Sequence, residues 1–164
     1  MSTVYAENAI DEALSFWQQG YQCQTEGNLE EAIRLYRRSL ETHPTAEAHT
    51  FLGWAFHSQG RTLEAIRECK RAIEVDPTYG NSWNDIGAYL IDLGRLNEAI
   101  PYLRQALRAE RYECRYFPYF NLGRIFERQG DWRRAIECYR EALRLHTNFA
   151  SAQRRIWRLQ ALMN

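Results

Sequence analysis

The chain has 164 residues, 45% hydrophobic and 26% charged with no net charge, which is the make-up of soluble material long enough to bury a core. No run approaches about 18 uninterrupted apolar residues, which excludes a membrane-spanning helix, and the opening MSTVYAENAI lacks the basic start and apolar run of a secretory signal. Cys23, Cys69, Cys114 and Cys138 stand 46, 45 and 24 residues apart, which is neither a C-x-x-C pair nor a metal-ligand spacing and points to reduced thiols in a cytoplasmic protein.

In chain order, residues 1–12 are expected to extend a first helix, and four similar units follow. The first (13–45) contains FWQQGYQCQTEGNLEEAIRLYRRSL from residue 16, and the second (46–79) contains HTFLGWAFHSQGRTLEAIRECKRAI from residue 49. The third (80–115) contains WNDIGAYLIDLGRLNEAIPYLRQAL from residue 83 and ends in an extended loop. The fourth (116–148) contains YFNLGRIFERQGDWRRAIECYREAL from residue 119. One glycine recurs at Gly20, Gly53, Gly87 and Gly123, and a second at Gly27, Gly60, Gly94 and Gly130. An alanine recurs at Ala32, Ala65, Ala99 and Ala135, and a small residue at Ser39, Ala72, Ala106 and Ala142. Each series steps by 33, 34 and 36 residues.

Apolar residues recur three and four apart on both sides of the second glycine, which predicts helix, tight turn, helix in every unit. The second glycine suits the left-handed residue that ends a helix. The first glycine and the small residues suit places where paired helices cross too closely for a larger side chain. One such hairpin cannot cover its own apolar face, so the units are expected to stack. Residues 149–164 are predicted to form a solvating cap helix with Phe149, Ala152, Ile156, Leu159 and Leu162 on one stripe and Gln153, Arg154, Arg155 and Arg158 elsewhere. Pro101 falls early in a second helix and is expected in its first turn, where amide hydrogens lack partners.

The pattern W-x-x-[LI]-G-x-x-[YF]…A-x-x-x-[YF]…A…P, best kept in WNDIGAYL and YFNLGRIF, resembles the tetratricopeptide repeat over about residues 13–148. The closing proline is kept at Pro44 and Pro77 but replaced by Arg111 and Thr147, and Cys69 and Leu103 replace the aromatic residue of the second helix. The resemblance implies an all-α fold, a right-handed α-solenoid of antiparallel helix pairs, whose first helices line a concave groove that takes a partner peptide or helix. Offsets from the first glycine then place Trp17, Tyr21, Trp54, His57, Asn84, Asp85, Asn121, Arg124 and Arg128 in the groove as partner-binding candidates, with Thr50 and Phe51 beside them. The aromatic members are residue types that dominate binding energy once desolvated. The asparagines carry a donor and an acceptor for a peptide backbone, and Arg124 with Arg128 suits a carboxylate. The chaperone-binding clamp of this family needs cations where this chain has Trp17, Tyr21, Asn81 and Asp85, so that partner is not expected.

The stretch RYECRYFPYF, 111–120, holds the two residues that lengthen the last step. It is expected to be a packing joint in which Tyr119 takes the place of Trp83, with Tyr112 and Tyr116 left for the loop. A lip that contacts a ligand is the alternative.

No catalytic, cofactor-binding or metal residues are expected. The histidines are scattered, no nucleotide-binding or hydrolase motif occurs, and the glycines are accounted for by turns and crossings. The function expected is a non-catalytic adaptor for a protein or peptide partner. The alternative is a homo-oligomer joined head to tail, because residues 1–100 carry 8 basic and 15 acidic groups and residues 101–164 carry 13 and 6. Arginines interleaved with glutamates, as in RRAIECYREALR, leave no basic stripe for nucleic acid.

Overall fold

The computed structural model describes the backbone of residues 2–163 and the side chains of residues 7–163. Among them are α1 (Ser2–Thr25), α2 (Leu29–Thr42), α3 (Ala46–Ser58), α4 (Thr62–Val75), α5 (Gly80–Asp92), α6 (Leu96–Arg108), α7 (Tyr116–Arg128), α8 (Trp132–Leu145) and α9 (Ala150–Met163). They divide into two compact units, residues 1–82 and 83–164, with the division inside α5.

The same turn closes all four hairpins. Gly27, Gly60, Gly94 and Gly130 have φ of 84°, 78°, 76° and 79°. In the first, the amide of Gly27 bonds to the carbonyl of Gln24 and that of Asn28 to Cys23; the pairs Gly60 to His57 with Arg61 to Phe56, Gly94 to Ile91 with Arg95 to Leu90, and Gly130 to Glu127 with Asp131 to Phe126 repeat it. This is the Schellman arrangement, and it satisfies carbonyls that a helix end leaves without partners.

The helix that follows each turn starts in one of two ways. Asn28 and Asp131 accept from the backbone amides of Glu31 and Arg134, which caps α2 and α8. Arg61 and Arg95 hold the same position before α4 and α6 and make no side-chain cap. Each instead grips a glutamate three residues on with a two-pronged pair, Arg61 to Glu64 and Arg95 to Glu98.

In the unit of residues 1–82 the core is built from Ala32, Tyr36 and Ser39 of α2, Leu52, Ala55 and Phe56 of α3, and Ala65, Cys69 and Ala72 of α4. The spacing of three and four is the helical stripe expected from the sequence. In the unit of residues 83–164, Ile86, Leu90, Leu103, Ile125, Ala135, Tyr139 and Ala142 are buried, and α9 lays Ala152, Ile156 and Leu159 on α8. The first glycines sit against the residue sixteen positions later. A β-carbon on Gly20 would lie 2.8 Å from the Tyr36 ring, on Gly87 2.4 Å from Leu103, and on Gly123 2.5 Å from Tyr139. Gly53 faces the small Cys69 at 3.1 Å, and there the backbone carbonyl of Ala65 closes to 3.2 Å.

Three expectations need correction. Pro101 is the sixth residue of α6, past the first turn, so it removes the amide that would bond to the Asn97 carbonyl. Pro101 and Asn97 are both exposed. Leu162, assigned to the buried stripe of α9, is 60% exposed, because the stripe drifts off α8 after Leu159. Tyr112 lies in the loop between α6 and α7 as expected but is buried there, and Tyr116 is instead the first residue of α7. Tyr112 is buried with Ala106 and Ala109 beside Trp83 and Cys114, and Tyr116 packs on Phe117, His146 and Phe149. Arg115 reinforces the joint by donating to the carbonyls of Leu107 and Ala109 at the end of α6.

Candidate interaction surfaces

In the unit of residues 1–82, α1 and α3 bring together four of the aromatic side chains near the expected groove. Trp17 and Tyr21, one turn apart on α1, stack at 6.0 Å. Phe51 of α3 meets Trp17 edge-on at 5.1 Å, Tyr21 at 5.6 Å and Trp54 at 4.6 Å. Tyr36 supports Phe51 at 6.1 Å and donates its hydroxyl to Gln24. Burial pushes the Tyr36 hydroxyl well above its ordinary pKa, so it stays a donor. Tyr21 is 47% exposed, and Trp17, Phe51 and Trp54 are half-buried. The result is a rigid aromatic surface with one face open. The indole N–H of Trp17 is buried and has no hydrogen-bond partner. His57, one turn beyond Trp54, contacts the Thr62 hydroxyl at 3.3 Å across the turn. Thr50 does not reach the surface: it is fully buried, bonded to the Ala46 carbonyl and the Ser82 hydroxyl.

In the unit of residues 83–164 the polar candidates meet one another. Asn121 donates to Asn84 at 3.1 Å, and Asn84 donates to Asp85 at 3.2 Å. Arg124 donates to Asn121 at 3.1 Å and to Asp92 at 2.8 Å. Arg128 donates one amino group to the Ile91 carbonyl at 2.6 Å. Asn84, Asp85 and Asn121 are buried, Arg124 is half-buried and Arg128 is exposed. This network ties α5 to α7 through side chains up to 37 residues apart. It satisfies groups that would be costly to bury alone.

Two polar clusters were not anticipated. Glu68, 7% exposed, accepts from Arg71 at 2.7 Å and contacts His49 at 2.8 Å. His49 holds the position that Trp83 and Tyr119 hold in later units, so the signal was a polar residue in an aromatic place. Glu127 accepts the Tyr139 hydroxyl at 2.6 Å and ion-pairs with Arg155 and Arg158 of α9. Burial pushes the Tyr139 hydroxyl up to about 12 even with arginines near it. Among the described residues, no three His, Cys, Asp or Glu side chains are grouped as a metal ion requires, and no helix is long and apolar enough to cross a membrane.

No curated protein sequence matches the chain. Solved structures do. That of PilF from Pseudomonas aeruginosa superimposes with a TM-score of 0.87 at 26% identity, over 96% of this chain and 70% of that one. A crystal structure of MamA gives 0.71 at 24% identity, over 85% and 81%. YrrB, described as a TPR protein with an unusual peptide-binding site, gives 0.70 at 16% identity, over 87% and 73%. The last two speak for the fold alone, an all-α solenoid of helix pairs. Residues 24–80 and 78–148 match two family models, both described as the tetratricopeptide repeat. With those models taking in residues 24–148 and the fold shared along nearly the whole length, the chain belongs to the tetratricopeptide repeat family.

Proposed function

We propose that the protein is a non-catalytic adaptor that holds a segment of a partner protein against the first helices of its repeats. The repeats are taken as residues 13–45, 46–79, 80–115 and 116–148, with 1–12 extending α1 and 149–164 capping the array. The observation that carries the reading is the open aromatic face of Trp17, Tyr21, Phe51 and Trp54. These rings brace one another, so little side-chain entropy is lost when a partner covers them. A partner of matching character is an extended or helical peptide with apolar side chains, bordered by His57.

Asn84, Asp85, Asn121 and Arg124 are the candidates of the unit of residues 83–164. Their hydrogen bonds to one another fix the side chains before a partner arrives. Arg128, with one amino group held by Ile91, offers its remaining donors to a carboxylate or carbonyl. A micromolar complex of this kind corresponds to about −8 kcal/mol.

The test is affinity capture from the native host with wild-type protein, Tyr21→Ala, Trp54→Ala and Arg128→Glu, all checked for equal helix content. The expected result is a defined set of partners lost from the two aromatic variants and weakened by Arg128→Glu. Full retention by all three variants refutes the assignment of this face.

A further inference from the structure

In the unit of residues 1–82 an apolar cavity of about 360 Å³ opens between α1, the end of α2 and the start of α3. Ile10, Ala13, Leu14 and Trp17 form one wall, and His43 and Thr45 stand opposite. Ile10 and Leu14 are 46% and 48% exposed at its mouth.

The other unit shows what fits such a place. A shift of 103 residues carries Ala13, Leu14, Trp17 and His43 onto Tyr116, Phe117, Phe120 and His146. Phe149 precedes α9 as Thr45 precedes α3. There the rings close on one another: Tyr116 lies 4.3 Å from Phe117 and 4.7 Å from His146, and Phe149 lies 5.2 Å from Tyr116 and 4.9 Å from Phe120. One unit fills this corner with its own aromatic side chains. The other, with alanine and threonine in their places, leaves room for an aromatic group from outside.

The chain carries such a group on a helix of opposite charge. Trp157 of α9 is 63% exposed, more than any other large hydrophobic side chain among the described residues. Arg154 and Arg158 flank it, and α9 has three arginines and no acidic residue. α1, which forms the cavity wall, has Glu7, Asp11 and Glu12 and no lysine or arginine.

We propose that the cavity receives the Trp157 side chain of a second copy of this chain, so that α9 of one copy docks on α1 of the next. Burying the indole supplies the apolar contact, and the acidic and basic helices set the orientation. The two surfaces differ, so the contact is heterologous and adds copies until a ring closes or the ends are blocked. The site adjoins the proposed peptide surface through Trp17, which contributes to both, but neither Leu14 nor Trp157 belongs to that surface.

Sedimentation velocity across a concentration series tests this at about 0.01 M and 1 M salt, where charges act over about 30 Å and 3 Å. The wild-type chain is expected to form oligomers that grow with concentration at low salt and shrink at high salt. Trp157→Ala removes the inserted group, and Leu14→Arg puts a like charge opposite α9; each is expected to weaken association at least tenfold with helix content unchanged. Mixed together, the two variants are expected to form one-to-one dimers and nothing larger, because Trp157→Ala keeps its cavity and Leu14→Arg keeps its α9. A wild-type monomer at both salts overturns the proposal, as does undiminished assembly by either variant or a mixture that stays monomeric. A monomeric wild-type chain that binds N-acetyltryptophanamide through Leu14 would give the cavity to a foreign aromatic residue and overturn self-docking equally.

Discussion

Replacing Gly87 by alanine isolates the steric reason for the first glycine of each hairpin. The new β-carbon would lie 2.4 Å from Cδ2 and 2.6 Å from Cγ of Leu103, a side chain with no exposed surface. Cγ is not the loose end of the side chain, so Leu103 must leave its rotamer or the helices must part. Overpacking costs about 1–3 kcal/mol, and contacts this far below 3.0 Å put Gly87→Ala in the upper part of that range, about 2–3 kcal/mol. Alanine recovers about 1 kcal/mol of helix propensity over glycine, which leaves a net loss of about 1–2 kcal/mol. With a urea dependence of about 2 kcal/mol per molar, the midpoint followed by circular dichroism should fall by about 0.5–1 M at unchanged slope. Shortening Leu103 should reverse the sign. Leu103→Ala alone costs about 2–5 kcal/mol, but adding Gly87→Ala to it should be neutral or stabilising by up to about 1 kcal/mol. Gly53→Ala is the comparison, because its β-carbon meets Cys69 and the Ala65 carbonyl at 3.1 and 3.2 Å and needs a shift of only tenths of an ångström. If Gly87→Ala is harmless, or costs the same with and without Leu103, close approach is not why glycine stands there.

Three further outcomes are expected. Burial raises the Cys138 thiol to about 11, so it should alkylate far more slowly than the unfolded thiol at pH 8, as peptide mapping would show. Because its folded pKa lies above the ordinary value of 9.0, Cys138 favours the fold below pH 9.0, and that contribution should fade as pH rises toward 11. The backbone amide and guanidinium of Arg134 lower the Asp131 pKa, so its cap stabilises above the ordinary value of 3.8 and fades as pH falls through the lowered one. Asp131→Asn should keep most of the cap at neutral pH and flatten the acid limb of a melting-temperature profile. Glu127→Gln should loosen α9 by weakening its hold on Arg155 and Arg158, read as about tenfold faster trypsin cleavage in residues 154–158.

The hairpins were legible because their causes are local. A glycine with φ near 80° and carbonyls three and five residues back involve only neighbours in sequence, so a recurring glycine is enough to announce the turn. The same holds for the small residues at Ala65, Ala99 and Ala135, each set by one crossing within its own hairpin. The groove candidates could be named from the sequence, but their bonded states could not. Nothing near Asn121 in sequence says that its amide meets Asn84, or that Arg124 meets Asp92, since these partners lie 37 and 32 residues away.

The sequence by itself determined the helices, their turns and the stripe each one buries, because those follow from backbone geometry and a period of about 3.6 residues. The tertiary structure alone decided which polar side chains are already bonded, that Trp157 faces outward, and that one corner is packed with rings while its counterpart stands open. Such outcomes depend on volumes and partners contributed by helices distant in the chain, and a repeat pattern sets where those helices cross without setting what fills the space between them.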